Sequence, residues 1–231
     1  MKLFLLSLLF LLISFPAFAQ ITEWIDSNYD FTKAKSICID YVAAPEIVDG
    51  IRDKESHDVF FEETKKAIVD KLPKYKVDSI NAAKKNFSGE SHLFEKYLTD
   101  NYDLLVKCTV LQYDTGKKHV ESHIYSVTVP VTTTVLGAFG QPETITTMQQ
   151  QEYKIPEGDY PAAFVQVKFD VVNTKTNQSV WSWEDKQDKV DDTGISNIKP
   201  KGIFTGIISD FATNLRKNLK SRKTGGPKLS K

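Results

Sequence analysis

Hydrophobic residues recur along this chain in two rhythms, one helical and one strand-like, and the rhythms divide it into unlike halves. Residues 36–42, Ser-Ile-Cys-Ile-Asp-Tyr-Val, are short and rich in β-formers, which predicts a first strand. Residues 45–54 read as loop. From His57-Asp58 to Leu72 the positions Phe60, Thr64, Ala67/Ile68 and Leu72 recur at intervals of three to four residues. Glu62 and Glu63 sit early, Lys71 late, and Pro73 stops the pattern, so this is a helix. A short second strand at 75–79 follows, then a helical patch broken at Ser88-Gly89 and resumed through Leu93, Phe94, Tyr97 and Leu98. Residues 104–113 make a strong third strand. Strand–helix–strand–helix–strand order predicts parallel pairing with helical crossovers.

The second half alternates with a period of two. Asp114-Thr-Gly-Lys117 reads as a turn, which would fold the third strand back on the segment from His119 as a hairpin. In that segment Tyr125, Val127, Val129, Val131 and Val135 alternate with Ser126, Thr128, Pro130, Thr132 and Thr134. One buried and one wet face are expected, and Pro130 suggests a sheet edge. Residues 136–142 form a Gly-containing turn and 144–154 a polar return arm. Residues 164–172 and 178–184 make another hairpin around 173–177. Ile203, Phe204, Ile207, Ile208, Phe211, Leu215 and Leu219 draw an apolar stripe on a closing helix. The expected fold is a single α/β domain with a mixed sheet: crossover helices early, antiparallel hairpins late, and a C-terminal helix. The domain spans 34–220, behind a polar lead-in at 20–33, with 118–154 as a projecting hairpin.

The first 19 residues stand apart. Lys2 supplies a positive charge, 3–15 is an almost unbroken apolar run, and Pro16-Ala-Phe-Ala19 ends in small residues. This is the layout of a secretory signal peptide, cut between Ala19 and Gln20. Pro16 closes the run short of the roughly 20 residues a spanning helix needs. No other segment is long and apolar enough to cross as a helix, and the cleavage region has no cysteine to lipidate. The expected address is the periplasm or cell envelope.

Thirty basic and thirty acidic residues balance, which argues against nucleic acid as partner. The 41% apolar content suffices for a core. From Arg216 onward the chain holds seven Lys/Arg and no acid, and 221–231 reads as a basic flexible tail. A solvated terminus and a weak tether to an anionic surface are both open for it.

Candidate chemistry is sparse. Cys38 and Cys108 are an even pair in an oxidising compartment, which invites a disulfide if their strands are neighbours with Cα atoms within about 7 Å. Buried free thiols are the alternative. His119 and His123 have helical zinc spacing, but four residues along a strand span about 13 Å, too far for one ion. Ser91-His92 lacks a nucleophile elbow, and Gly137-Ala-Phe-Gly140 lacks the Lys-Ser/Thr of a phosphate loop. No catalytic, cofactor or metal residue is assigned. Trp181 and Trp183, two apart on one strand face, either stack on sugar rings or pack against Val165, Val167, Phe169 and Val171. Tyr125 and Phe139, on the hairpin, join them as candidate contact residues.

Four stretches, taken together, carry a family resemblance: Asp30-Phe31 ahead of the strand 36–42; the helix from Asp58; Tyr102-Asp-Leu-Leu-Val106; and 167–172 leading by a hairpin to Val180-Trp181. This order resembles exported envelope proteins with the fold of the TolB N-terminal domain and the curli-secretion-channel lipoproteins. The chain departs from many of these in lacking a lipidation cysteine. The resemblance implies a non-enzymatic assembly or docking module for envelope proteins, without cofactor, and carries over no contact residues. A carbohydrate- or cell-wall-binding module and a secreted hydrolase with dispersed carboxylates are the alternatives.

Overall fold

A computed structural model describes residues 20–40, 42–44, 54–80, 91–192 and 198–220. The signal peptide, the 221–231 tail and the Ser88-Gly89 break fall outside the described residues. The order of elements is β1 (Gln20–Ile25), a single 3-10 turn at Phe31–Lys33, β2 (Ser36–Ile39), α1 (Lys54–Lys71), β3 (Lys76–Ser79), α2 (Ser91–Asn101) and β4 (Leu104–Val120). Then come β5 (His123–Leu136), β6 (Pro142–Ile155), β7 (Gly158–Asn173), β8 (Gln178–Val190) and α3 (Pro200–Lys220). Among the described residues no helix is long and apolar enough to cross a membrane.

The main sheet has the order β1-β8-β7-β4-β2-β3 and is mixed, as the pattern predicts. β2 runs parallel to both β3 and β4, while β4, β7, β8 and β1 pair antiparallel. The step from β2 to β3 and the step back from β3 to β4 run in opposite directions along the sheet. Right-handed crossovers therefore place their helices on opposite faces. Phe60, Phe61, Ile68 and Leu72 of α1 belong to the main core. Leu98 of α2 packs on the other face with Cys38, Ile80, Leu105 and Val172.

α3 lies on the α1 face. Its predicted stripe is buried throughout, and Phe211 is its centre. That ring stacks on Phe169 at 3.8 Å and on Trp181 at 5.0 Å between centroids. Asp103 fastens the parallel corner: its Oδ2 accepts from Lys35 N (2.8 Å), Ser36 N (3.1 Å) and Ser36 Oγ (3.0 Å). Burial opposes its ionisation, but these bonds and the Lys175 ammonium outweigh burial and hold the carboxyl below its ordinary value.

Two strand assignments change. The lead-in begins with a strand: Gln20–Ile25 edges the sheet against β8, with Ile25 opposite Trp181. The turn expected at 114–117 does not form. β4 runs on through it, pairing Asp114 with Phe164 and Lys117 with Pro161, so His119 lies within β4 opposite Asp159. Gly116 lies within β4 opposite Ala162, where a Cβ would meet the Phe164 ring at an ordinary contact distance of 3.5 Å, so this glycine does not force a turn.

Candidate functional site: the projecting arm

β5 and β6 form a sheet of their own. Their ladder continues that of β4 and β7 in one unbroken offset, from Gln112–Gln166 through Val120–Gly158 to Leu136–Pro142. The molecule therefore carries one very long hairpin, whose outer portion extends about 45 Å at 3.3 Å per residue. The real reversal is the Gly-containing turn predicted at 136–142. Gly137 N donates to Gln141 O (2.8 Å) and Gly140 N to Gly137 O (2.9 Å). Gly140 takes φ +69°, a conformation that a side chain would strain.

Ion pairs collar the base of the arm. His119 lies 3.1 Å from Asp159 and 3.4 Å from Glu157, and Lys118 pairs with Asp188. The Asp159 hydrogen bond comes first among the causes that raise the His119 pKa. His123 reaches Asp192 at 3.3 Å. The two imidazoles thus take separate carboxylate partners. Among the described residues no group of three or more His, Cys, Asp and Glu stands ready to hold a metal.

Beyond the collar the arm faces solvent. Tyr125, Val127, Val129 and Val131 do share a face, but it is only half-covered, because among the described residues no helix lies over it. Tyr125 stacks on Tyr153 at 5.4 Å. Phe139 at the tip is 94% exposed, Leu136 79% and Met148 70%. Between Ile124 and Gln151 the single charged residue is Glu143, in a chain of which 26% is charged. Charge depletion of this kind marks the cores of interfaces, and it is the sequence signal that would have singled out the arm beyond its alternation.

The other candidate residues lie elsewhere. Trp181 and Trp183 are 0% and 1% exposed, packed with Phe211 and Phe169. The Trp181 indole donates to Glu23 Oε1 at 3.0 Å. Neither ring is available for stacking on a sugar, because α3 covers that face of the sheet. Both thiols are free and buried. Their strands are neighbours, as a bridge requires, but Cys38 pairs in register with Leu105 and faces α2, whereas Cys108 faces the main core. An odd offset along alternating strands puts the two on opposite faces of the sheet. Burial pushes the Cys38 thiol up to about 12 and raises Cys108 as well, which leaves both as poor nucleophiles.

A shallow depression of about 430 Å³ runs along α1 from Glu62 to Asp70. Lys201 pairs with its Glu63 at 3.0 Å and Lys65 with Glu62 at 3.8 Å, so these carboxylates serve surface ion pairs.

No family model and no curated protein matches the chain. Among solved structures it is similar to the PelC dodecamer from Paraburkholderia phytofirmans at 8% identity and a TM-score of 0.46, over 86% of this chain and 97% of that one. It is similar to lipoprotein GNA1162 from Neisseria meningitidis at 13% identity and 0.39, over 79% and 98%. A DUF4136 family protein from Bacteroides thetaiotaomicron gives 9% identity and 0.40, over 89% and 98%. Likeness at these levels transfers no function and no residue role.

Proposed function

We propose that this chain is a non-enzymatic accessory protein of the cell envelope, exported, cut between Ala19 and Gln20, and docking to other protein surfaces through its arm. The observation that carries the reading is the nearly uncharged, solvent-facing ribbon rising from a body that has a buried core of its own. A monomeric domain gains nothing from displaying Leu136, Phe139 and Met148 to water, and exposed apolar groups on open strands are a liability unless something covers them. Cleavage before Gln20 keeps Gln20–Ile25 in the mature chain, with Gln20 opposite Lys186.

Two measurements test this. N-terminal sequencing of the protein from fractionated host cells is expected to begin at Gln20 in the envelope fraction; Met1 on cytosolic material overturns export. Recovery of envelope partners by the mature chain is expected to fall when 121–157 is replaced by a two-residue Asn-Gly turn. Equal recovery overturns the role of the arm.

A further inference from the structure

Among the described residues both strand edges of the arm are unpaired, and they are not equivalent. The bond from Gly137 N to Gln141 O makes these residues a hydrogen-bonded pair. In an antiparallel ladder such pairs alternate with pairs whose backbone groups turn outward. Carried along the register, Val131–Thr147 is hydrogen-bonded and Pro130–Met148 turns outward. Pro130 fits that phase, since the N–H it lacks would have pointed to solvent. It leaves the outer edge of β5 without a donor at its middle. On β6 the outward groups belong to Pro142, the strand's first residue, and then to Thr144, Thr146, Met148, Gln150, Glu152 and Lys154, so the donors run uninterrupted from Thr144 to Lys154. β6 therefore offers the longer uninterrupted template for another strand, with its one proline at the end of the strand rather than the middle.

We propose that this edge pairs with the β6 edge of a second copy of the chain, antiparallel about a two-fold axis at Met148, giving a four-stranded sheet β5-β6-β6-β5. This rests on the docking reading and names its partner. Such an axis pairs even-numbered residues with even-numbered ones, so the outward donors and acceptors of both copies meet in phase. Thr146 falls opposite Gln150 of the second copy, Thr144 opposite Glu152, and Glu143 opposite Tyr153, so no like charges face each other. Met148 meets its own copy, with Pro130 behind it on each side. A lone two-stranded ribbon is marginal in water, whereas four strands are not. The pairing is isologous, consumes both β6 edges and leaves outside only the β5 edges, interrupted at their middle by Pro130, so growth stops at two.

The test uses the purified mature chain, residues 20–231, in sedimentation equilibrium. A concentration-dependent dimer is expected. Met148→Pro sits at an outward position, spares the arm's own ladder and removes one donor per copy; it should weaken the dimer roughly thirtyfold. Met148→Lys, which leaves the backbone intact and sets two charges face to face, should weaken it at least as much. Met148→Cys should form an interchain disulfide on oxidation, with Cys38 and Cys108 buried out of reach. A native chain that stays monomeric, or a dimer that ignores the proline and lysine substitutions and forms no interchain bridge in the cysteine variant, overturns the proposal. If the native chain is monomeric yet the arm replacement still abolishes partner recovery, self-pairing falls and docking stands, with another protein's strand as the occupant.

Discussion

The body and the arm share one ladder and the same alternating rhythm, yet only the body buries its apolar face. In β7 the alternate residues Val165, Val167, Phe169 and Val171 are 0% exposed, sealed by α1 and α3. In β5 the alternate residues Tyr125, Val127, Val129 and Val131 remain half-covered. A period of two says which residues share a face; whether that face is buried depends on a second layer, which the alternation does not encode. Phe60 of α1 and Phe204 of α3 pack on Tyr113 and the core runs on to Ala163, whereas along β5 the described residues are only partly covered.

Changes in the two regions should therefore separate cleanly. The largest effect is expected at Phe211→Ala, which empties the space between Phe169 and Trp181 and should cost about 3–5 kcal/mol in denaturant unfolding. Val129→Ala in the arm should shift the same transition by well under about 1 kcal/mol; comparable costs would break the distinction between sealed and open faces.

Asp185 comes next. It is 0% exposed, its Oδ1 has no hydrogen-bond partner among the described residues, and burial, opposed by the Gln187 amide and helped by Asp210, raises its pKa to about 6. Because the folded value exceeds the unfolded one, the folded state favours the protonated carboxyl. The penalty is absent below the unfolded value and develops as pH rises through about 6. Asp185→Asn should therefore stabilise the fold by roughly 3 kcal/mol near pH 8 and by almost nothing near pH 3.5, measured as a stability–pH profile. A gain independent of pH would point to a different cause.

Asp103→Asn keeps the shape and removes the charge that gathers three hydrogen bonds, and should cost about 1–2 kcal/mol. With its folded pKa depressed, the native carboxylate's contribution is present above the unfolded value and is lost as pH falls through the folded one, so the gap between native and variant should close in acid. The smallest effect is expected from replacing 121–157 by Asn-Gly, which should leave the body's unfolding free energy within about 1 kcal/mol. A large loss would show that the arm helps to hold the sheet.

Much of this molecule is determined by sequence alone. Period 3.6 and period 2 fix α1, α3, the parallel β2–β3–β4 unit and the β7–β8 hairpin, because each element must turn a contiguous apolar set toward one core. Tertiary structure decided the rest. The run at 114–117 has turn-forming residues, but the apolar partners waiting on β7 favour an extended ladder, and a bulge between Val110 and Gln112 switches the inward face without leaving a glycine to announce it. The lead-in becomes β1 because β8 offers an edge; Gln-Ile-Thr-Glu-Trp-Ile holds β-forming residues but no regular alternation, so the period of two does not mark it. Cys38 and Cys108 are kept apart, and Trp181 and Trp183 are hidden, by which face of the sheet each strand presents and which helix covers it. These are relations between segments distant in the chain, so no local pattern could contain them.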